Sequence, residues 1–304
     1  MRIVVHGQQA FGKSVLEALL ERGEDVVAVY CAADKEGRPV DPIKELALEN
    51  NLTVCQPSSY SDDSVCDELR ALSPDLVVMA YVTLFVQEEF LNIPTYGTIQ
   101  YHPSLLPLHR GPSSINWPII KGSKKTGLSI FWPDNGLDTG PVLLQKEVDI
   151  KEDDTLGSLY FNELFPLGVE AMLESVDLVR DGNAPKIVQD ESQATYESWC
   201  KKEDVEIDWS ASTEETYNLI RGANPQPGAW TVHRGQTLKI FDCAKFTEVT
   251  GSPGEILSID DEGLIVATGD GGICIQRVRP EGSGKISVQE YMSTHQLEIG
   301  TRLG

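Results

Sequence analysis

The chain has 304 residues, 40% of them apolar, which is enough for two cored domains and leaves little room for a third. Acidic residues number 47 against 25 basic ones, and the resulting formal charge of −22 repels a phosphate backbone at long range, which disfavours a general nucleic-acid binder. No apolar run approaches the ~18–20 residues of a membrane helix, and the scattered cysteines give neither zinc spacing nor a disulfide framework.

Ile3, Val4 and Val5 form an apolar strand closed by Gly7. A chain that enters a strand at once does not read as a signal peptide, so a cytoplasmic protein with reduced thiols is expected. Residues 11–21 are predicted helical, with Val15, Leu16, Leu19 and Leu20 on one face. A strand over 25–30, a helix over 42–50, a strand over 52–55, a helix over 64–72 and a strand over 75–80, apolar throughout after Asp75, follow. A further strand covers 98–102. Strands alternating with helices predict an α/β fold with a Rossmann-like, doubly wound, mainly parallel sheet. Strands over 128–132 and 142–150 suit an antiparallel edge, and a long helical stretch over 155–180 is interrupted at Pro166. Residues 186–206 are polar and read as a linker. Beyond about 207, short strands at 236–241, 254–259, 263–268 and 272–278 predict a small OB-like antiparallel barrel. The expected domains are 1–200 and 201–304.

Gly7 and Gly12 bracket the turn between the first strand and first helix, but their spacing is neither G-x-G-x-x-G nor a P-loop. No acidic residue cleanly ends the second strand to hold a ribose. Turn packing is the expected role, and no NAD(P) is expected. The informative segment is 97–140. His102 sits at the carboxyl end of a predicted strand, where open α/β sheets bind ligands. Pro103 and Pro107 bracket Ser104, Leu105 and Leu106 and stiffen the loop. Asp138 lies between Leu137 and the Thr139-Gly140 pair in a second loop, and it can face His102 if strands 98–102 and 128–132 are close. A His and an Asp converging on a strand-end crevice suit general acid–base work. No His or Cys grouping has ligand spacing, so no metal is expected.

His102-Pro103-Ser104-Leu105-Leu106-Pro107, with Arg110-Gly111 and Leu137-Asp138-Thr139-Gly140, resembles the signature of the 10-formyltetrahydrofolate-dependent formyltransferase family. The resemblance covers about residues 1–200 and, more weakly, the rest. Tyr101-His102-Pro103-Ser104, Ser114-Ile115-Asn116-Trp117, Ser129-Ile130-Phe131-Trp132 and Leu143-Leu144-Gln145-Lys146 look most like the hydrolase domain of 10-formyltetrahydrofolate dehydrogenase. One departure matters: transferases of the family carry Asn two positions before the catalytic His, whereas this chain has Gln100. A Gln amide can donate the same hydrogen bond with a reach one methylene longer.

The resemblance implies 10-formyltetrahydrofolate as formyl-donor substrate, with a pterin held in a crevice formed by Met79, Ala80, Tyr81, Phe85 and the loop carrying Gly136, Leu137 and Gly140. It implies His102, Asp138 and Gln100 as catalytic residues. Ser104, Leu105 and Leu106 would shape the loop against the folate, and His109 and Arg110 would face the folate tail or acceptor. The acceptor is expected to be water or a small amine. A methionyl-tRNA formyltransferase is the alternative, disfavoured by the weak charge of 34–41 and the absence of a basic stripe beyond 207. A non-catalytic folate-binding module is a third reading, and no membrane partner is expected.

Overall fold

The computed structural model describes residues 1–295 and 297–304. The chain forms two compact units, one of Met1–Ser114, Gly127–Val148 and Phe161–Tyr196, the other of Ile115–Thr126, Asp149–Tyr160 and Glu197–Gly304.

In chain order the first elements are β1 (Arg2–Gly7), α1 (Gln9–Glu21), β2 (Asp25–Tyr30), α2 (Pro42–Glu49), β3 (Thr53–Cys55), α3 (Asp63–Leu72), β4 (Leu76–Ala80), α4 (Glu88–Leu91) and β5 (Thr98–His102). After α5 (Asn116–Ile120) come β6 (Lys125–Phe131) and β7 (Val142–Asp149). The seven strands make one sheet in the order β3-β2-β1-β4-β5-β6-β7. Strands β1 to β5 run parallel and β6 is antiparallel to β5, as the shift in sequence pattern implies. The most apolar strands sit in the middle because a parallel sheet covered on both faces leaves them no wet side.

Alternation along β5 decides the placement of the site. Ile99 and Tyr101 point to the face packed by Phe11, Val15 and Leu19 of α1 and by Ala171 and Met172 further on. Thr98, Gln100 and His102 therefore point to the opposite face, the one Val4, Val77 and Met79 share with Leu69 and Phe90. The glycines of the first turn answer to close packing. A Cβ on Gly7 would lie 2.5 Å from the Ala80 carbonyl oxygen and 3.2 Å from the Gly12 Cα. The amide of Gln9 at the start of α1 donates to the Asp41 carboxylate at 2.8 Å, so an internal anion already occupies that helix end.

The expected helix over 155–180 is α6 (Leu156–Leu159), a π-helical turn at Tyr160–Leu164, and α7 (Phe165–Arg180). Pro166 sits in the first turn of α7, where a missing N–H costs nothing, so it marks a helix start rather than a break. In the second unit α8 (Thr213–Gly222) has no counterpart among the expected elements. It opens with a capping box, Ser212 accepting from Glu215 N while Glu215 returns the bond. Then follow β8 (Trp230–His233), β9 (Gln236–Ile240), β10 (Cys243–Phe246), β11 (Ile256–Ile259), β12 (Leu264–Ala267), β13 (Gly272–Ile275), β14 (Arg277–Pro280), β15 (Ile286–Ser287) and α9 (Val288–Thr294). They make two four-stranded antiparallel sheets, β10-β13-β12-β11 and β15-β14-β9-β8, closed round one barrel-like core with Ile240, Val266, Ile275 and Val278. No helix is long and apolar enough to cross a membrane among the described residues.

The stretch 186–196 is not a free connector. Ile187 pairs with Val142 and Tyr196 pairs with Arg110 through backbone bridges. Its polarity, which reads as that of a linker, serves a buried guanidinium described below.

Candidate active site

The site is built where β5 ends beside β6. Gln100 lies opposite Phe131 and His102 opposite Ser129. Beyond His102 the chain is cross-tied at short range. Ser104 N donates to His102 O at 2.9 Å, and Ser104 Oγ donates to Leu108 O at 2.6 Å. Ser129 Oγ donates to Ser104 O at 2.7 Å and accepts from Leu106 N at 3.0 Å. Gln145 Nε2 reaches across to Leu106 O at 2.8 Å. The loop is therefore rigid through its hydrogen bonds as well as its prolines.

His102 is buried, with Phe131 edge-on to its ring. Its Nε2 lies 3.0 Å from the carbonyl oxygen of His109. A carbonyl can only accept, so Nε2 carries the hydrogen and the neutral ring keeps its lone pair on Nδ1. That nitrogen faces Asp138, whose Oδ2 is 3.7 Å away, longer than a hydrogen bond and within ion-pair range. Asp138 Oδ2 in turn accepts from Gly111 N at 2.8 Å. Asp138 holds φ at +56°, a left-handed conformation uncommon outside glycine. Gln100, two residues back on the same strand face, is half-buried, and its amide has no hydrogen-bond partner among the described residues. The structure thus brings His102, Asp138 and Gln100 to one end of the sheet.

The residues expected around a ligand divide by burial. Tyr81, Phe85, Gly136 and Leu137 are exposed, and Asn135 Nδ2 donates to the Glu88 carboxylate, tying loop 134–140 to the start of α4 just after loop 81–87. Met79 and Ala80 turn their side chains into the core because β4 is covered on both faces, and Ala80 O accepts from Gln8 N. Ser104 is committed to the loop bonds above. Leu106 packs with Phe131 and Val142, and half-buried Leu105 covers Gly127, where a Cβ would come within 2.6 Å of it. Gly140 is buried, and a Cβ there would collide with Trp132 O, 1.7 Å away, so only glycine fits.

Arg110 needs a correction. The motif places it toward a folate tail or acceptor, yet it is 0% exposed. Its guanidinium donates to Gln189 Oε1 at 2.8 Å, to both Glu191 oxygens at 2.6 and 3.0 Å, and to the Tyr196 hydroxyl. The hydrogen bonds to Glu191 hold the guanidinium above its ordinary range, and Arg110 holds the Glu191 carboxyl below the usual carboxylate range. A buried guanidinium with this many partners is an internal anchor. Sequence reasoning misses Gln189 and the backbone groups of His109 and Gly111. Backbone groups carry no residue-type signal, and Gln189 lies 51 residues from its partner Asp138.

Among the described residues no group of three or more His, Cys, Asp and Glu converges as a metal site would. The remaining arrangement is a lone-pair nitrogen, a carboxylate and an amide at the carboxyl end of β5. Those groups can take a proton from a nucleophile and donate a hydrogen bond to a developing oxyanion.

Residues 1–175 match the formyl transferase family and residues 200–296 match the formyl transferase C-terminal domain. Mitochondrial 10-formyltetrahydrofolate dehydrogenase of Homo sapiens is 37% identical over 98% of this chain, which spans only 34% of that protein's length. A methionyl-tRNA formyltransferase of Geobacter sulfurreducens is 38% identical over 100% of this chain and 97% of its own. Among solved structures, HypX from Aquifex aeolicus in complex with tetrahydrofolic acid superposes with a TM-score of 0.70 at 21% identity, covering 99% of this chain and 50% of that one. The sugar 3N-formyl transferase WlaRD gives 0.69 at 18% identity over 93% and 99%. At these identities the structural matches speak for the fold alone.

Proposed function

The chain belongs to the formyl transferase family, and on that premise we propose that it takes the formyl group of 10-formyltetrahydrofolate, passes it to water or a small amine, and releases tetrahydrofolate. The observation that carries the reading is the facing of His102 Nδ1 and Asp138 Oδ2 at 3.7 Å, with Gln100 on the same strand face.

The chemistry follows from the tautomer. His109 O fixes the hydrogen on Nε2, so Nδ1 is the base. A water or amine that hydrogen-bonds to Nδ1 and Asp138 loses its proton to Nδ1 as it attacks the formyl carbon. The Asp138 carboxylate stabilises the imidazolium that forms. Gln100 donates to the formyl oxygen as it becomes an oxyanion. The carbon–N10 bond then breaks, and the imidazolium returns its proton to N10. With water the products are formate and tetrahydrofolate; with an amine they are a formamide and tetrahydrofolate. Exposed Tyr81, Phe85 and Leu137 supply apolar surface for a pterin.

A second reading, formylation of methionyl-tRNA, is favoured by one observation: the match to a methionyl-tRNA formyltransferase runs over 97% of that relative's length. The charge distribution supports the first. Lys245, one of the cations beyond 207, lies between the Glu152 and Glu214 carboxylates, and Arg277 lies by Asp242, so these two positive charges already face acids rather than an acceptor stem.

Incubation with 10-formyltetrahydrofolate alone, then with amines, then with charged initiator tRNA, separates the readings when tetrahydrofolate is followed by absorbance. Release without tRNA, lowered by on the order of 10²–10³ in His102→Ala and Asp138→Ala, is the expected result. Release only with charged tRNA would replace the first reading by the second. Binding with no release under any condition would leave a folate-binding module.

A further inference from the structure

Three consecutive residues reach both members of the catalytic pair. His109 accepts from His102 through its carbonyl, and Gly111 donates to the Asp138 carboxylate through its amide. Between them the Arg110 side chain enters the interior and grips Gln189 through Nε at 3.1 Å and Nη2 at 2.8 Å. Gln189 is the link back to the pair. Its amide nitrogen donates to Asp138 O at 2.9 Å and to Gly140 O at 2.7 Å. One buried side chain thus commits all its polar capacity to a guanidinium and to the two carbonyls that bracket the Asp138-Thr139 turn.

Asp138 needs such a hold. A non-glycine residue at φ +56° relaxes unless its surroundings over-determine it. The carboxylate has one amide donor, Gly111 N, and that contact alone fixes an oxygen rather than a backbone. The two carbonyls are fixed by Gln189, whose orientation is in turn dictated: Oε1 must meet the donors of Arg110, so both hydrogens of Nε2 face the carbonyls. Arg110 is locked by Glu191 and Tyr196 as well, so the chain of constraint ends in a rigid, 0% exposed group rather than a flexible one.

We propose that Gln189 is a positioning residue for the formyl-transfer site, holding the left-handed Asp138 backbone so that the carboxylate faces His102, with buried Arg110 as its anchor. The proposal rests on the function read above for His102 and Asp138, and it adds to that function a residue outside both sequence motifs. A merely structural Gln189 would matter only through Arg110. The two roles separate in Gln189→Glu, which keeps an acceptor for the guanidinium but turns a carboxylate oxygen, unable to donate, toward two carbonyl oxygens.

The test is kinetic and structural on the full chain. Gln189→Glu is expected to lower kcat by about 10²-fold, the effect of roughly 1 Å of misplacement, with KM little changed. In an Asp138→Asn background the same substitution is expected to have almost no further effect on kcat, because residues acting through one another are not additive. In a crystal structure of Gln189→Leu, Asp138 is expected to leave positive φ and its carboxylate to move beyond the present 3.7 Å from His102 Nδ1. Wild-type kcat in Gln189→Glu, an undiminished loss in the Asp138→Asn background, or an unmoved carboxylate would each overturn the proposal. Should Gln189→Leu not fold, the crystal structure of Gln189→Glu decides. If the wild type itself releases no tetrahydrofolate, the functional reading fails, whereas the crystal structure still decides what Gln189 holds.

Discussion

His6 shows how a single buried titratable group sets a pH dependence away from the reaction. It ends up beneath the sheet ends, with Nε2 2.7 Å from the Tyr60 hydroxyl and Nδ1 without a partner among the described residues. Burial pushes its pKa down to about 3 from 6.5. The folded protein therefore stays neutral there while the unfolded chain takes up a proton below about pH 6.5. The sign follows: stability is fully present above that pH and is lost progressively as pH falls toward 3. Between about pH 7 and pH 5 this single group should remove about 2 kcal/mol of unfolding free energy. Urea titrations at the two pH values, on the wild type and on His6→Gln, check it. The variant starts less stable and should show a loss smaller by about that amount; equal losses would mean that His6 takes up its proton in the folded state. The same scale explains Arg110, whose residue type suggests a ligand contact. A guanidinium suits anions, and here the anion is Glu191 of the same chain.

At the scale of elements, α7 meets the sheet through a missing side chain. A Cβ on Gly168 would lie 2.7 Å from the Tyr101 ring and 3.0 Å from that of Phe11, two aromatic rings whose centroids are 4.3 Å apart. Two effects oppose each other in Gly168→Ala. Helix propensity favours Ala by about 1 kcal/mol. Overpacking of a filled core costs typically about 1–3 kcal/mol, and both rings are buried parts of the core, with no solvent to swing into. The clash should win, so Gly168→Ala is expected to be less stable by about 1 kcal/mol in urea unfolding, the reverse of the usual helical Gly→Ala result. Tyr101 lies next to His102 on β5, so the same packing holds the strand that ends in the imidazole. A stabilised variant would show that α7 shifts freely on the sheet.

At the scale of the whole molecule, the charge of −22 governs the electrostatics, because attractive pairs already occupy many of the 25 cations. Arg22 is shared by Glu24 and Asp177, Arg70 by Asp67 and Glu89, and Lys245 by Glu152 and Glu214. What remains is an excess of negative charge, whose self-repulsion destabilises the folded state and is screened by salt. The urea midpoint at pH 7 is therefore expected to rise between about 0.05 and 0.5 M NaCl, where the Debye length shrinks below ~5 Å. A fall would show that the ion pairs outweigh the repulsion.

The alternation of apolar strands with amphipathic helices in the first half, the switch to short strands beyond 207, and the pairing of a His-Pro-Ser-Leu-Leu-Pro loop with Leu-Asp-Thr-Gly are all legible in the sequence. They are local patterns, written by periodicity and by residues a few positions apart. The helix α8 stays hidden because its first turn is polar and its cap, rather than an apolar stripe, announces it. Which candidate residues stay exposed is not legible. Met79 on β4 and Ser104, Leu106 and Arg110 of the motif loop are buried, and Gln189, in a stretch that reads as linker, ends against Asp138. Strand order and long-range hydrogen bonding decide those placements, and neither leaves a mark on neighbouring residues: the nitrogen of His102 left to accept a proton is chosen by the carbonyl of His109, whose position depends on how the whole loop is tied to β6.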